Sequence, residues 1–428
     1  MKFTNLYSLR LASLLLILIS AQSMAEDSDS GISPAVKKIV RAKKAIELDA
    51  KNSDAFNDLA FALSRRARET SDPDYYVQAA EAINTSLRLA PDNFDARRLE
   101  TWIALGKHEF SQALQLARAL SKSRPDDVLA YALLTDACVE TGHYDEAEKA
   151  AQWALDLRPG DISGLTRAAY LRELFGDIQG AVDLMQSAYT KTQPSEIEDR
   201  AWILTQFAHL QLLNGKPEIA ESALADALKL FPGYHYALGN MVKVKLAQKR
   251  FDEAVAVARD FIGAAPHPEN LFVLGEALAL ADQSDEAKKV FLDFENKALA
   301  ESNGPDNANR ELVFFYVNHA GKPGEGLKFA MKEMERRQDV FTREAFAWAL
   351  QANGEFEKAR IEMDKVLSIG VRDPVFFYHA SQIAQKNGNI ELAKKYLQES
   401  LSQANRSSVS ELARITLDQK NPKNSDGK

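Results

Sequence analysis

The sequence predicts an all-α fold, a solenoid of antiparallel helix pairs, and three observations lead to it. A small residue recurs along most of the chain, usually 33 or 34 residues after the previous one. Glycines fall between the two apolar helical segments of most intervals, and prolines end several of the second segments. Glycine tolerates the positive φ of a chain reversal, whereas proline cannot continue a helix. Each interval is therefore one helix hairpin.

The clearest unit runs from Val128 to Asp161, with helical patterns over 128–140 and about 144–157, a turn at Gly142 and an end at Pro159. Aspartate or asparagine near such a proline is placed to cap the next helix. The small residue after the turn stands at Ala79, Ala113, Ala147, Ala181, Ala220, Ala254, Ala287, Gly326, Ala359 and Ala393. A fixed period of this length is typical of repeat architectures, in which each unit buries its apolar face against its neighbours.

The N-terminal segment has the pattern of a secretory signal peptide. Lys2 and Arg10 flank an apolar run over 11–21, and Ser23-Met24-Ala25 stands before an acidic stretch. We expect cleavage after Ala25 and an exported protein, periplasmic or secreted, with no stable membrane span after cleavage. An uncleaved anchor is the alternative, although the run is short of the ~20 residues that a spanning helix needs.

The remaining boundaries follow from composition and from helix start signals. Ser33-Pro34 reads as an N-cap followed by proline in the first turn, and the last ten residues are polar without apolar periodicity. The predicted segments are 1–25 signal peptide, 26–32 disordered, 33–50 N-terminal capping helix, 51–405 solenoid of about ten repeats, 406–418 C-terminal capping helix and 419–428 disordered tail. The stretch 298–309 is a candidate position for a break that would divide the solenoid into two blocks.

Three intervals are longer than the period. The stretch from Ser64 to Val77 carries about seven extra residues, and roughly five follow each of the units that end near Pro194 and Leu299. In a solenoid such insertions either form loops or lengthen a helix end.

Composition and motifs exclude several classes of function. The formal net charge is -8 and the charges are mixed along the chain, which argues against nucleic-acid binding. Cys138 is the only cysteine, so no internal disulfide can form, and its apolar helical face predicts a buried core residue. No metal-ligand spacing, nucleophile motif or phosphate loop is present in the sequence. We predict no catalytic residue, no cofactor, no metal and no enzymatic activity.

The repeat resembles the tetratricopeptide repeat, or TPR. The resemblance is carried by the period, by two helices per unit, by terminal prolines, and by turns such as Gly142-His143-Tyr144-Asp145-Glu146-Ala147. It covers about residues 52–405 and implies a right-handed superhelix. Gly326 departs from the family's alanine at that position, so the repeats are divergent. Pentatricopeptide and Sel1-like repeats, the alternatives, have longer or less regular periods.

In this family the first helices of successive units line a concave groove, and their second, fifth and ninth positions face it. The resemblance therefore implies a partner groove, which we place at Trp102, Tyr170, Trp202, His209, Tyr236, Phe315, Phe341, Trp348, Tyr378 and Arg98. An aromatic stripe at helical spacing fits a core equally well, because a shift of one residue turns it inward. Both placements are open at the level of sequence.

The predicted function is a non-enzymatic scaffold or adaptor in the cell envelope. It would bind protein partners, as peptides or helices, on the concave groove of the TPR superhelix, and would bind no nucleic acid. The alternative is a scaffold or sugar-binding component of an exopolysaccharide export system.

Overall fold

The structure is a computed structural model that describes residues 33–304 and 306–403. This part of the chain forms 21 α-helices and no strand. The helices are α1 (Pro34–Leu48), α2 (Ser53–Thr70), α3 (Asp74–Leu89), α4 (Phe94–Gly106), α5 (Phe110–Ser123), α6 (Val128–Glu140), α7 (Tyr144–Leu157), α8 (Ile162–Leu174), α9 (Ile178–Lys191), α10 (Ile197–Leu213), α11 (Pro217–Leu230), α12 (His235–Ala247), α13 (Phe251–Ala264), α14 (Pro268–Leu280), α15 (Ser284–Glu301), α16 (Asn309–Asn318), α17 (Pro323–Met334), α18 (Val340–Ala352), α19 (Phe356–Ser368), α20 (Pro374–Lys386) and α21 (Ile390–Gln403).

After α1, the helices follow one another as ten hairpins. We number these units 1 to 10, so that α2 and α3 are the first and second helices of unit 1, and α20 and α21 those of unit 10. Each first helix packs on its own second helix, which in turn packs on the first helix of the next unit, and most consecutive first helices also contact each other. The predicted all-α solenoid is confirmed.

The small residue after each turn is buried where the two helices of a unit meet. Ala113, Ala147 and Ala359 have no exposed surface. A methyl group at this position lets the two backbones approach closely. Unit 8 has Gly326 instead, and a Cβ there would lie 3.0 Å from the Val317 side chain. The one departure from alanine therefore has a steric reason.

First helices are capped by the carboxylate or amide side chains that follow the unit ends. Asn93 accepts a hydrogen bond from the backbone N–H of Ala96, and Asp127 accepts one from Ala130. Each cap satisfies one of the backbone donors that a helix N-terminus leaves without an intrahelical partner. The predicted Asp and Asn signals thus mark the starts of several first helices.

The turn of unit 2 differs from the glycine turns that the sequence predicts for most units. Gly106 lies inside α4, and the residue with positive φ is His108, at 57°. A Cβ on Gly106 would lie 2.4 Å from the ring of Tyr76. Glycine is required at position 106 by the close approach of that ring and not by the chain reversal.

The extra residues of the long intervals extend helices. α2 has 18 residues, α10 has 17 and α15 has 18, whereas α4 and α6 have 13 each. The additional turns project beyond the ends of neighbouring helices. They can therefore touch parts of the solenoid that lie far away in the sequence.

The buried core does not follow sequence order. One apolar cluster joins residues of α4 to α8 with residues of α18 to α20, for example Val139 and Leu174 with Val340 and Ile383. A second cluster continues across 298–309, where it contains Ala298, Ala308 and Leu312. Units that are distant in the chain thus share a core, because one turn of the superhelix packs on the next.

Several predictions fall on residues outside the described ranges. These are the signal peptide, the disordered segment 26–32, the capping helix 406–418 and the tail 419–428. Cys138 is fully buried, as predicted, and burial raises the pKa of its thiol to about 12. Among the described helices, none combines the length and apolarity needed to cross a membrane.

Candidate partner-binding inner face

Side chains of consecutive first helices pair with one another along one face of the solenoid, which we call the inner face. Arg167 Nη2 lies 2.6 Å from Asp136 Oδ2, and His209 Nε2 lies 2.9 Å from Glu173 Oε1. Four inner-face pairs each join a carboxylate to an arginine or a histidine, namely Asp136–Arg167, Glu173–His209, Glu276–His319 and Glu344–His379. They join units 3 to 4, 4 to 5, 7 to 8 and 9 to 10. Along these stretches, the polar groups of the inner face already have partners.

The most enclosed of these pairs carries an aromatic stack. The ring of His379 lies 3.8 Å from that of Trp348, with 13° between the ring planes, and His379 Nδ1 bonds to the buried Glu344 carboxylate. Trp348 Nε1 donates to Asn318 Oδ1 at 2.9 Å. One face and the polar edge of the indole are therefore occupied by neighbouring units.

Contacts between successive turns of the superhelix close the inner face at two places, which we call the first and second seams. At the first seam, the extended end of α2 meets the extended start of α10. Arg65 Nη1 lies 2.5 Å from Asp199 Oδ1, and Arg65 Nη2 lies 3.0 Å from Glu198 Oε2. Arg68 Nη2 lies 3.1 Å from Glu198 Oε1, which also accepts a hydrogen bond from Tyr234 Oη at 2.6 Å. The Glu198 side chain is 2 % exposed, so a desolvated carboxylate links unit 1 to units 5 and 6.

Two histidines extend the first seam. His235, at the start of α12, donates from Nε2 to the carbonyl of Arg68 at 2.9 Å. His267, just before α14, bonds to the carbonyl of Ser71. The last carbonyls of α2 have no intrahelical partners, and the imidazoles of units 6 and 7 bond to two carbonyls at this end.

We expect the first seam to weaken in acid because of His235. Burial lowers its pKa to about 4, and the nearby charges of His267 and Arg68 act in the same direction. The unfolded value is near 6.5. The folded state thus holds a neutral imidazole, whose contribution is complete above pH 6.5 and is lost as pH falls towards 4. Linkage predicts a loss of about 2 kcal/mol between pH 7 and pH 5.

Urea unfolding at these two pH values measures that loss, and His235→Gln is the matched control. A glutamine amide can donate to the Arg68 carbonyl but does not titrate. We expect the free energy of unfolding of the variant to fall less than that of the unsubstituted chain. Equal falls in the two proteins would rule out His235 as the source.

The second seam joins unit 3 to the connection between α17 and α18. Arg337 Nη2 lies 2.5 Å from Glu140 Oε2, and the backbone N–H of Gln338 donates to the Glu140 carbonyl at 3.0 Å. The backbone N–H of Val340 donates to Tyr144 Oη at 2.7 Å. Two hydrogen bonds donated by main-chain N–H groups and one ion pair thus fix the register between the two turns of the superhelix.

α12 carries the part of the inner face that is left open. Tyr236, Asn240 and Lys243 are spaced four and three residues apart and share one side of that helix. Tyr236 is 39 % exposed, and Lys243 is also exposed. No inner-face pair joins unit 6 to its neighbours, and within the described residues Lys243 forms no ion pair or hydrogen bond.

Charged groups of other units act on Lys243. Burial lowers the pKa of its ammonium group, and Arg310 of unit 8 lowers it further, while Asp373 and Glu173 oppose the shift. Charges from units 4, 8 and 10 therefore act on one side chain of unit 6.

The ten residues predicted for the groove occupy different environments. Phe315 is 7 % exposed and lies in the apolar core, so its assignment to a partner surface is wrong. Tyr170 and Phe341 are half-buried against the core cluster shared by units 2 to 4 and 9 to 10, and Trp102 lies there as well. Trp202 packs between two other clusters, under the guanidinium of Arg68.

The remaining candidates keep polar contacts or exposed surface. Arg98 pairs with Asp95 and Asp127, each at 2.7 Å. His209 and Trp348 belong to the inner-face contacts described above, and Tyr378 is half-buried with its ring 5.8 Å from that of His379. Of the ten, only Tyr236 is classed as exposed.

The residues that close the seams were not predicted. Arg68, Glu198 and Arg337 lie at helix ends or in connections, outside the positions that the family resemblance selects. The one sequence signal near them is the excess length of the first two long intervals, since Arg68 and Glu198 lie in the added turns of α2 and α10.

Comparison with known families agrees with this geometry. Models of the tetratricopeptide repeat match residues 99–162, 136–196, 205–267 and 376–406. No curated protein matches the chain in sequence.

Solved structures match in fold. A human IFIT1 dimer with m7Gppp-AAAA is 12 % identical, with 86 % of each chain covered and a TM-score of 0.51. An IFIT1 monomeric mutant with Gppp-AAAA is 13 % identical, with 86 % of this chain and 95 % of that chain covered and a TM-score of 0.50. PilW, a type IV pilus biogenesis factor, is 13 % identical over 48 % of this chain and 93 % of its own, with a TM-score of 0.42. At these identities the likeness concerns the fold alone.

Proposed function

The chain is a tetratricopeptide-repeat protein, and from that premise we propose that it is a non-enzymatic scaffold whose inner face binds an extended segment of a partner protein around α12. Repeat solenoids of this family serve protein–protein interaction. The observation that carries the choice of site is the set of open side chains on unit 6.

The chemistry of that site suits a peptide. The exposed ring of Tyr236 offers an apolar surface with little side-chain entropy to lose, and Asn240 lies one turn further along. Lys243 offers a cation that forms no ion pair or hydrogen bond with the described residues. A peptide carboxylate placed there would form a charge-assisted hydrogen bond with the Lys243 ammonium group. The partner segment therefore has an apolar side chain near an acidic group.

The surroundings of the aromatic rings bear on the alternative function, sugar binding. Stacking on a sugar needs an open aromatic face, whereas one face of Trp348 is covered by His379. The ring of Tyr236 lies 4.0 Å from that of His235, with 39° between the ring planes, and 5.5 Å from that of Tyr234, so it also has neighbouring rings. We therefore favour a peptide over an oligosaccharide. Export to the periplasm or to the exterior, inferred from residues 1–25, is part of the same proposal.

Selection of peptides on the purified chain tests this function. A displayed library of short random peptides is panned on the immobilised protein, and enriched sequences are synthesised and titrated. We expect dissociation constants of about 1 µM, which corresponds to roughly -8 kcal/mol. The double variant Tyr236→Ala/Lys243→Gln should weaken binding at least tenfold, since each lost contact is worth about 1 kcal/mol.

The matched control makes corresponding changes on α7, the second helix of unit 3. Trp153 and Lys149 lie four residues apart on α7 and are both exposed, with 48 % of Trp153 accessible. Trp153→Ala/Lys149→Gln should leave peptide affinity within twofold. An equal loss in the two double variants, no enriched peptide, or tighter binding of neutral oligosaccharides would overturn the proposal.

A further inference from the structure

We infer that α1 is a docking helix for an anionic lipid surface. The helix carries Lys37, Lys38, Arg41, Lys43 and Lys44 against the single acid Glu47, in a chain whose formal net charge is -8. All five basic residues are exposed. The first described helix therefore has a charge opposite to that of the protein as a whole.

Three of the five cations on α1 have no partner among the described residues, whereas Lys38 lies over the ring of Phe61. Arg41, Lys43 and Lys44 form no ion pair or hydrogen bond with the described part of the chain. Elsewhere, many exposed Lys and Arg side chains are paired, as in the contacts of Arg360 with Glu357 and Asp364. Cations that neutralise nothing in their own protein produce a local positive potential that attracts anions.

The outward side of α1 also has an apolar component. Val40 is 62 % exposed and Leu48 is 82 % exposed, more than any other large apolar residue among the described residues. Lys37, Arg41 and Lys44 are spaced four and three residues apart, with Val40 and Leu48 on the same side of the helix. The opposite side, with Ala35, Ile39 and Ala42, is buried.

A capping role explains only part of this pattern. The terminal helix of a solenoid needs a polar outer side to remain in solution, and mixed charges would provide one. A single sign of charge combined with exposed aliphatic side chains is instead typical of helices that lie on anionic membranes. There the cations meet the lipid headgroups and the aliphatic groups enter the interface.

The helix is held firmly enough to act as a fixed docking element. Ile39 lies in the core cluster of units 1 and 2. The Arg66 guanidinium lies 3.3 Å from the Ser33 hydroxyl at the start of α1 and 3.0 Å from Glu69. Attachment through α1 would therefore orient the solenoid with its N-terminal end towards the lipid.

Co-sedimentation of the full chain with vesicles tests the inference. We compare phosphatidylcholine vesicles with vesicles that contain about 30 % phosphatidylglycerol, at about 0.1 M salt where the Debye length is about 10 Å. Binding should be at least tenfold tighter to the anionic vesicles and should be lost at about 1 M salt. Lys37→Gln/Arg41→Gln/Lys44→Gln should reduce it at least tenfold.

The control neutralises three exposed lysines on other helices, as Lys149→Gln/Lys289→Gln/Lys386→Gln. This variant has the same net charge and the same N-terminal residues 1–32, so a difference between the two triple variants reports α1 alone. Equal vesicle binding by the two variants would overturn the inference. Tighter binding of the full chain to a DNA duplex than to anionic vesicles would overturn it as well.

Discussion

Replacement of Glu198 by alanine is expected to lower the free energy of unfolding by about 3 to 5 kcal/mol. The carboxylate is 2 % exposed and lies 3.0 Å from Arg65 and 3.1 Å from Arg68, and Tyr234 donates to it. Without it, two guanidinium groups and a buried hydroxyl lose their shared acceptor. The penalty is large because the charges left behind stay desolvated.

Urea unfolding gives the change in stability, and hydrogen exchange shows where it arises. Exchange should accelerate at the end of α2 and at the start of α10, which meet at the first seam. Glu391→Ala is the control, because that carboxylate is 85 % exposed and pairs only with a lysine on its own helix. If Glu198→Ala and Glu391→Ala unfold at the same urea concentration, the first seam does not stabilise the fold.

The second large effect is expected for Arg337→Ala, which should lower the free energy of unfolding by about 2 to 4 kcal/mol. Arg337 lies 2.5 Å from Glu140 and 2.8 Å from Asp339, and its guanidinium sits 5.0 Å from the centre of the Phe110 ring. Its removal takes away the guanidinium group that contacts both carboxylates, which lie close together. We expect the second seam to open and the radius of gyration from small-angle scattering to increase.

The loss of stability caused by Arg337→Ala should depend on pH. Burial raises the pKa of Glu140 to about 7, even with Arg337 present. A carboxyl group whose folded pKa lies above its unfolded value favours the folded state at low pH, and this contribution is lost as pH rises through 7. Since Glu140 can take up a proton when the cation is missing, the variant should be less destabilised at pH 5 than at pH 8.

Arg360→Ala is the control for this prediction, because Arg360 also pairs with two carboxylates, Glu357 and Asp364, but at an exposed position. Its removal should change neither the unfolding midpoint nor the radius of gyration. An Arg337→Ala protein that behaves like Arg360→Ala would show that the turns of the superhelix do not depend on the second seam.

Prediction of the candidate site from the sequence had a specific limit. The family resemblance placed Tyr236 and Phe315 in one groove, although Tyr236 is 39 % exposed and Phe315 is 7 % exposed. The resemblance took Tyr236 from the second position of its helix and Phe315 from the ninth, but α12 has 13 residues and α16 has 10. The positions that it selects therefore do not all turn towards the inner face. Periodicity gives the direction of a side chain only to within about one residue, which on a helix is roughly 100°.

The sequence alone determined the local architecture. Two helices per unit, the buried small residue after each turn and the Asp or Asn caps depend on residues within one or two repeats, and each leaves a periodic signal. Tertiary structure alone decided that the lengthened ends of α2 and α10 meet, that Arg337 reaches Glu140, and that α12 keeps an open inner side. These contacts depend on a small rotation per unit that accumulates over several repeats, and the periodic signal of the sequence does not contain the resulting distance between turns.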